Sequence, residues 1–324
     1  MKAVVHDRYG DADVLRVADV ERPVPGAGQV LVRVHAAGAH IGDWRLMRGE
    51  PMIVRPAVGL RAPRLRVRGE ALAGTIEALG PDVTDFAIGD AVVGTGIGSH
   101  AGFALARTDR LVHKPASLDW VLAAAVPTSS VTALQALRDL GEVRAGQRVL
   151  VIGATGGVGS YATQLAAAMG AQVTAVCSVA NAEFARSLGA HDTIDYAAAD
   201  PTDPPADRRY DVVLDCVGNR SIGELRRALA DDGTLVMVAT APDGRWLGGV
   251  DRFLRAAIQS RFVRHRLRPV VSVDRPEDLA AVLAHIQAGD VRPIVDRTYP
   301  LEQTADAMRY LGRGHTRGKV VITM

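Results

Sequence analysis

The sequence contains few cysteines, few lysines and few aromatic residues. Cys177 and Cys216 are the only cysteines among 324 residues, too few for a disulfide framework or a thiolate zinc site. No apolar run approaches the ~18–20 residues that a membrane-spanning helix requires. The first residues also lack the basic, apolar and small-residue sections of a signal peptide. These absences exclude disulfide-rich secreted and membrane-spanning classes and predict a soluble, cytoplasmic protein.

Length and charge indicate an ordinary globular chain of two domains. A net charge of +2 and 48% hydrophobic residues are typical of a folded protein rather than a disordered one. The length exceeds the ~100–200 residues of one domain. Residues 29–35 alternate apolar and polar side chains, and short apolar runs at 74–78 and 90–93 follow after glycine and proline turns. This spacing predicts a small β-barrel or sandwich at the start of the chain.

From Arg148 onward the pattern changes to alternating strands and helices. Strands are predicted at 148–153, 172–177, 211–215 and 234–239, with helices at 157–169 and 181–188 between the first of them. These strands are apolar throughout, as expected when helices cover both faces of a parallel sheet. The fold class is therefore α/β. The tail from Pro276 mixes helices and strands.

The segment from Val149 to Gly159 carries the dinucleotide fingerprint A-x-G-x-x-G, with alanine in the first glycine position. It follows a predicted strand and opens a predicted helix, which is the context that gives this short pattern meaning. Gly156 would let the backbone approach a pyrophosphate, and Gly159 would let the helix pack closely on the sheet. The alternative is a tight strand-to-helix turn that binds nothing.

The end of the second strand bears on the choice between NAD and NADP. A carboxylate there would hold the ribose 2′-hydroxyl of NAD and repel a 2′-phosphate. The sequence instead has Ser178 and Asn181 near this point, which can donate hydrogen bonds to a phosphate. This pattern favours NADP, and the alternative is a loop with little preference.

These and further motifs make the whole chain resemble the zinc-independent medium-chain dehydrogenase/reductase superfamily, in its quinone oxidoreductase (zeta-crystallin-like) branch. The motifs are Ala36-Ala37-Gly38 with Asp43-Trp44, Gly74, Val126-Pro127 with Thr132-Ala133-Leu134, Gly153 to Gly159, Tyr210 to Asp215, and Gly314 to Lys319. The resemblance implies a discontinuous GroES-like β-barrel catalytic domain (1–121 and 262–324) and a Rossmann domain with a doubly wound parallel sheet (122–261). The active site would lie in the cleft between them.

The resemblance also implies an activity and a cofactor site. Family members transfer hydride from NADPH to quinones, enones or related carbonyl compounds, and we expect a homodimer, with the strand at 234–239 as a candidate edge. Thr132 would lie near the nicotinamide, Ser178 and Tyr196 near the 2′-phosphate, and Val217 and Ala239 along the cofactor. With the fingerprint, the cofactor-binding candidates are Thr132, Ala154, Thr155, Gly156, Gly157, Val158, Gly159, Ser178, Asn181, Tyr196, Val217 and Ala239. No metal is expected, because neither cysteine lies in the first domain, where the zinc-dependent relatives need a thiolate.

Several positions depart from the family pattern. His40 replaces an asparagine, Ala71 replaces an aspartate, and Leu105 and Ala106 replace a carboxylate and a phenol. These changes suggest a rewritten cleft lining and hence a specialised substrate. A second hypothesis is a natural-product tailoring step, such as dehydrogenation or cyclisation, on the same scaffold.

His40 is the candidate proton donor. After hydride reaches the β-carbon of an enone, the enolate must be protonated, and histidine is the natural acid at neutral pH. The alternative is an imidazole that only hydrogen-bonds to the backbone or to Asp43. Asp43, Trp44 and Phe103 are candidates for the substrate pocket, although loop fixation and core packing would also explain them.

Two arginine-rich stretches raise a third hypothesis, a non-catalytic nucleotide-binding protein whose main role is to bind RNA or protein. Five arginines lie between Arg55 and Arg68, and a second group runs from Arg261 to Arg268. Such clusters can attract nucleic acid or an anionic substrate. Solvated loop charges are the simpler interpretation, so we expect a small-molecule quinone or enone as the partner and no nucleic acid.

Overall fold

The structure is a computed structural model that describes residues 1–239 and 246–324. The chain divides into two compact units. Unit 1 comprises residues 1–131, 274–287 and 293–324, and unit 2 comprises residues 132–273 and 288–292. The junctions lie at Val131/Thr132 and Val273/Asp274, where the sequence predicts 121/122 and 261/262.

The strands are β1 (Lys2–Val5), β2 (Arg16–Asp19), β3 (Gln29–Ala39), β4 (Ala71–Leu79), β5 (Ala91–Thr95), β6 (Phe103–Arg107), β7 (Leu111–His113), β8 (Arg148–Ile152), β9 (Gln172–Cys177), β10 (Asp192–Asp195), β11 (Tyr210–Asp215), β12 (Leu229–Met237), β13 (Arg266–Pro269), β14 (Val295–Pro300) and β15 (Lys319–Thr323). The helices are α1 (Ile41–Arg48), α2 (Arg55–Val58), α3 (Trp120–Ala125), α4 (Ser129–Gln135), α5 (Gly159–Ala168), α6 (Ala182–Ser187), α7 (Ile222–Arg227), α8 (Val250–Gln259), α9 (Pro276–Ala288) and α10 (Thr304–Gly312). No helix among the described residues is both long and apolar enough to span a bilayer.

Unit 1 is built on a mostly antiparallel sheet in the order β14-β15-β3-β4-β5-β7, with β6 also paired to β3. The long strand β3 shows why the alternating pattern predicts its position. Val30, Val32 and Val34 are buried and Arg33 is exposed, as one solvated face requires. From Ala36 the strand is almost wholly buried, so its end lies in the core beside β4 and β15.

Unit 2 contains a parallel sheet in the order β10-β9-β8-β11-β12-β13. Counted within the unit this is the strand order 3-2-1-4-5-6 of a Rossmann fold. Val149 to Ile152 of β8 are at most 1% exposed, which explains their unbroken apolar sequence. The structure therefore confirms the α/β class, with a GroES-like domain and a Rossmann sheet.

The strand order corrects one expectation. The sequence predicts 234–239 as a candidate sheet edge, but this prediction is wrong, because β12 lies between β11 and β13. Within the described residues, β13 pairs only with β12 and forms the edge on this side. β13 is short and rich in arginine, so the hydrophobic pattern of the sequence does not predict a strand outside β12.

Candidate functional site

The glycine-rich turn of unit 2 joins the carboxyl end of β8 to α5. Gly153 adopts a positive φ of 78°, which favours glycine at the bend. A Cβ atom on Gly159 would lie 2.0 Å from the carbonyl oxygen of Gly153. The helix can begin so close to the strand only because position 159 has no side chain. Ala154 and Thr155 are buried beneath the turn.

Gly156 differs from Gly159 in what surrounds it. The atom nearest to a Cβ at position 156 is the Gly153 carbonyl oxygen at 3.5 Å, an ordinary contact, so packing within the protein does not require glycine here. Gly156, Gly157 and Val158 are partly exposed. The turn thus offers open backbone at the start of a helix, which fits a pyrophosphate.

The loop after β9 contains the residues expected near the ribose. Ser178 directly follows the strand, and Asn181 donates from Nδ2 to Thr155 Oγ1 at 3.4 Å, while its buried Oδ1 has no hydrogen-bond partner in the described structure. Tyr196 is 51% exposed, and its backbone N–H bonds the Cys177 carbonyl at 3.3 Å. The structure therefore brings Ser178, Asn181 and Tyr196 to one edge of the sheet.

A buried ion pair, which the sequence analysis did not identify, positions the next stretch. Asp215 ends β11, and its Oδ2 accepts from Arg252 Nη2 at 2.6 Å. Its Oδ1 accepts from the backbone N–H groups of Val217 and Gly218 at 3.1 and 2.9 Å. Arg252 also donates to the Ala239 carbonyl at 3.2 Å. This one ion pair therefore holds the backbone at both Val217 and Ala239. Thr132, the residue expected near the nicotinamide, lies buried in α4.

In unit 1, His40 and Asp43 form a capping box at the start of α1. The Asp43 backbone N–H donates to His40 Nδ1 at 3.3 Å, and the His40 backbone N–H donates to Asp43 Oδ2 at 3.0 Å. Asp43 is only 3% exposed. These bonds satisfy two of the free N–H groups at the helix start and fix the orientation of the imidazole.

The second ring nitrogen of His40 faces two carboxylates. Nε2 lies 3.6 Å from Asp43 Oδ2 and 3.7 Å from Glu70 Oε2. Burial disfavours the charged imidazole, but the Asp43 and Glu70 carboxylates outweigh it, so the pKa of His40 is raised. His100, buried nearby, has no such excess of carboxylates, and burial lowers its pKa. Of the two, His40 is the imidazole whose protonated form the surroundings favour.

Lys319 lies in the same polar region. It is 2% exposed, and its Nζ donates to Ser129 Oγ at 2.9 Å. Burial lowers the pKa of Lys319 to about 8, against the opposing effect of Asp43. In the sequence, Lys319 stands out only as the end of the motif from Gly314 to Lys319, because the burial of a lysine cannot be recognised without its neighbours.

A cavity of about 300 Å³ in unit 1 has both acidic and apolar walls. Its lining includes Asp43, Arg68, Glu70, Leu46, Val67 and Leu105. Arg68 keeps buried Nε and Nη2 atoms with no hydrogen-bond partner among the described residues. Such a wall can accept a small apolar molecule with a polar end.

Two residues expected in the substrate pocket do not line this cavity in the described structure. Trp44 packs against Gly312, and the Arg48 guanidinium lies over its ring at 4.7 Å. The Phe103 ring lies 3.5 Å beneath the guanidinium of Arg22. Both contacts show structural packing, which leaves Asp43 as the expected pocket residue that borders the cavity.

The positions that depart from the family pattern separate in the same way. Leu105 lines the cavity, but Ala71 and Ala106 are 0% and 1% exposed and belong to the core. The Ala71 Cβ faces Gly38 on the neighbouring strand, where an added Cβ would lie 3.2 Å from it. Of these three substitutions, therefore, one alters the wall of the described cavity.

The arginines between Arg55 and Arg68 do not form a free basic patch. Arg55 donates to the Gly49 carbonyl at 3.0 Å, and Arg66 pairs with Asp7 at 2.6 Å. Arg68 is partly buried at the cavity. Arg55 and Arg68 are thus engaged within unit 1, while Arg61, Arg64 and Arg66 lie exposed at its surface.

Comparisons with known proteins agree with this architecture. Residues 26–116 match the alcohol dehydrogenase GroES-like domain, and residues 188–322 match the zinc-binding dehydrogenase family. A quinone oxidoreductase of Pseudomonas aeruginosa is 31% identical over 99% of both chains. A chloroplast envelope quinone oxidoreductase homolog of Arabidopsis thaliana is 29% identical, over 99% of this chain and 98% of that protein.

Solved structures show the same relationship. The quinone oxidoreductase of Coxiella burnetii superposes with a TM-score of 0.88 at 28% identity, over 100% of this chain and 99% of that one. A mycobacterial protein complexed with NADPH superposes with a TM-score of 0.84 at 25% identity, over 100% of both chains. The chain therefore belongs to the quinone oxidoreductase branch of the medium-chain dehydrogenase/reductase superfamily, a family of nicotinamide-dependent oxidoreductases, and the resemblance in the sequence is confirmed.

Proposed function

We propose that this protein is an NADPH-dependent reductase of a quinone or an α,β-unsaturated carbonyl compound. The observation that carries the proposal is the pairing of His40, an imidazole with a raised pKa, with Glu70, whose carboxylate lies 3.7 Å from His40 Nε2 and lines a cavity of about 300 Å³. Reduction of a carbonyl-conjugated double bond or a quinone needs one proton for each hydride, and this group can hold it. The quinone oxidoreductases with which the chain shares its fold support the substrate class.

The fit of the cofactor rests on the glycine turn. Gly156 leaves open space above the backbone, and the buried Asn181 Oδ1 has no hydrogen-bond partner among the described residues. When bound, NADPH supplies the hydride. The protein would hold the pyrophosphate at Gly156–Val158, while Asp215 and Arg252 keep Val217 and Ala239 in place along it.

The proton would be held on His40 Nε2. The acid would be the imidazolium, which carries hydrogens on both ring nitrogens; it would give the Nε2 proton to the enolate and leave a neutral ring. In the imidazolium Nδ1 cannot accept the Asp43 backbone N–H, so that bond belongs to the neutral ring. Glu70 is exposed and would return a proton from solvent after each turnover. Asp43 and Glu70 keep the pKa of His40 raised against the effect of burial.

A panel of quinones and enones assayed by NADPH oxidation tests the activity. We expect turnover on at least one class and a loss of about 10²-fold or more in His40→Gln. The exposed His113 provides the matched control, and His113→Gln should retain the activity. Absence of turnover across the panel would reject the proposal, and an unchanged rate in His40→Gln would remove the role of His40.

NADP preference has its own test at Ser178. The nearest carboxylate on the adjacent strand, Asp195, accepts the backbone N–H of Ala197 at 3.1 Å, so it is engaged in its own turn. In Ser178→Asp a carboxylate would repel the 2′-phosphate. We expect the affinity of this variant for NADPH to fall about tenfold or more, and its affinity for NADH to stay unchanged. If the unaltered protein binds NADPH and NADH with equal affinity, the proposed preference is wrong.

The reaction we propose is independent of zinc, despite the name of one matching family. Cys177 and Cys216 both lie in unit 2. Within residues 1–239 and 246–324, no three histidine, cysteine or acidic side chains form a group that could hold a metal ion. The donor set does not fit a catalytic zinc, and no step here uses one. Undiminished turnover after dialysis against a chelator is the expected result.

We further propose a homodimer that forms through the outer edge of β13 and the neighbouring face of α8. Leu254 and Ile258 on α8 and Phe262 in the turn that follows it are 63%, 53% and 83% exposed, and exposed apolar side chains close together mark interaction sites. We expect Ile258→Glu to give monomers by light scattering, and Arg255→Glu, which alters an exposed residue that is not one of these apolar side chains, to remain dimeric. The cytoplasmic location and the absence of a nucleic-acid partner stay predictions of the sequence.

A further inference from the structure

Unit 2 contains a second concave site at the edge of the sheet opposite the glycine turn. This depression of about 460 Å³ is lined by Arg209, Gly223, Arg226, Arg227, Leu229, Asp231, Arg264 and His265. Arg209 directly precedes β11, and His265 directly precedes β13, so the site lies at the amino ends of these parallel strands. The glycine turn follows the carboxyl end of β8. A strand of six residues such as β11 is roughly 20 Å long. The depression at the amino ends of the strands and the glycine turn at their carboxyl ends are therefore distinct sites.

The guanidinium groups around the depression form few close ion pairs, although Glu224 lies near Arg227. Arg209 reaches Asp231 at 3.9 Å, and Arg227 reaches Asp200 at 3.9 Å, both at the limit of an ion pair. Arg264 has no ion pair or side-chain hydrogen bond within the part of the chain that the structure describes. Elsewhere in the same unit an arginine pairs closely, as Arg266 does with Glu142 at 3.0 Å.

Arg226 is held in place without being neutralised. Its Nε donates to His265 Nδ1 at 3.2 Å, so this histidine nitrogen acts as an acceptor. Burial, together with the charge of Arg226, lowers the pKa of His265. The neutral imidazole therefore orients the guanidinium and leaves its positive charge available.

We propose that this depression, which we call the arginine site, binds a small oligophosphate anion. Four guanidinium groups converge there and one carboxylate, Asp231, lines the same wall. Guanidinium forks match phosphate oxygens in planar, bidentate contacts. An anion with several charges would relieve the mutual repulsion of the arginines. This assignment does not depend on the reductase activity.

The shape of the arginine site favours a compact ligand over a nucleic acid. Its volume lies within the ~300–1,000 Å³ of small-molecule pockets. Phenylalanine, tyrosine and tryptophan side chains, on which unpaired bases stack, do not line it in the described structure, and His265 is held by Arg226. Compact phosphate chemistry is what the wall can recognise.

Calorimetric titration with tripolyphosphate, with and without saturating NADPH, tests the proposal. The test variant is Arg227→Ala/Arg264→Ala, which removes two exposed arginines of the site. The matched control is Arg255→Ala/Arg261→Ala, which removes the same charge from neighbouring exposed residues outside it. We expect the Kd to rise about tenfold or more in the test variant and about twofold or less in the control.

Binding that persists with NADPH present and weakens only in the test variant would support the arginine site. Three results would overturn it: no heat at low salt, equal loss in both double variants, or displacement of tripolyphosphate by NADPH. A single-stranded RNA that binds more tightly and loses affinity in the test variant would also overturn it, in favour of a nucleic-acid surface.

Discussion

The buried pair of Asp215 and Arg252 permits a quantitative test of how unit 2 holds its cofactor loops. Their side chains are 1% and 9% exposed, and the charged atoms lie 2.6 Å apart. Arg252→Met keeps the length of the side chain but leaves the Asp215 carboxylate buried without its cation. Removing one partner of such a pair costs about 3–5 kcal/mol, because the remaining charge stays desolvated.

The lower part of this range is expected here. Two backbone N–H groups, from Val217 and Gly218, continue to donate to Asp215 Oδ1 and stabilise the carboxylate. A loss of about 3 kcal/mol corresponds to a fall in Tm of roughly 6–12 °C for a unit of this size. Because Arg252 also donates to the Ala239 carbonyl, the substitution should weaken NADPH binding as well.

Denaturant unfolding and NADPH titration together measure the effect. Arg255, on the same helix, is the matched control, since its side chain is 71% exposed and pairs with Asp251 at the surface; Arg255→Met should change stability by less than about 1 kcal/mol. Asp215→Asn combined with Arg252→Met removes both charges and should recover part of the loss. Equal stability of Arg252→Met and Arg255→Met would refute the reasoning.

Three further predictions concern the glycine turn and the polar region of unit 1. Gly156→Ala should keep the stability of the protein and weaken NADPH binding, whereas Gly159→Ala should also lower the Tm, since its Cβ would lie 2.0 Å from the Gly153 carbonyl oxygen. Glu70→Gln should move the alkaline limb of the pH–rate profile to lower pH, because the carboxylate raises the pKa of His40. Between pH 8 and 10.5, the unfolding free energy of the unaltered protein should rise by about 3 kcal/mol relative to that of Lys319→Met. The reason is that the pKa of Lys319 falls from 10.5 to about 8 on folding, so over this range the unfolded chain binds the proton that the folded protein has lost.

The features that could be predicted from the sequence are those whose physical cause is local. The glycine turn is one, because Gly153, Gly156 and Gly159 serve a bend, an open backbone and a close packing contact within seven residues. The apolar strand β8 is another, since burial on both faces leaves an unbroken apolar run. For the same reason the apolar strands of the Rossmann sheet could be predicted from the sequence, whereas β13 could not. This strand is short, and Arg266 and Arg268 flank its buried Leu267.

The features that were missed depend on contacts distant in sequence. Asp215 and Arg252 are 37 residues apart, and Ser129 and Lys319 are 190 apart. Nothing in the sequence near Arg252 distinguishes it from Arg255, a surface residue about one turn later on α8. Sequence patterns report which side chains share a face of an element, and they do not report which charge that face meets.

His40 combines a structural role with a proposed chemical one, and substitution can separate them. As the residue before α1, it accepts the Asp43 N–H through Nδ1, and this same bond leaves Nε2 facing Glu70. Asparagine is a strong helix cap but has no proton to give at neutral pH. We therefore expect His40→Asn to keep the stability of the protein and lose turnover, while His40→Ala loses turnover and a further 0.5–2 kcal/mol (approximate cost of a lost cap) of stability. Equal unfolding midpoints for the two variants would show that the cap contributes nothing, and full turnover in His40→Asn would show that the proton comes from elsewhere.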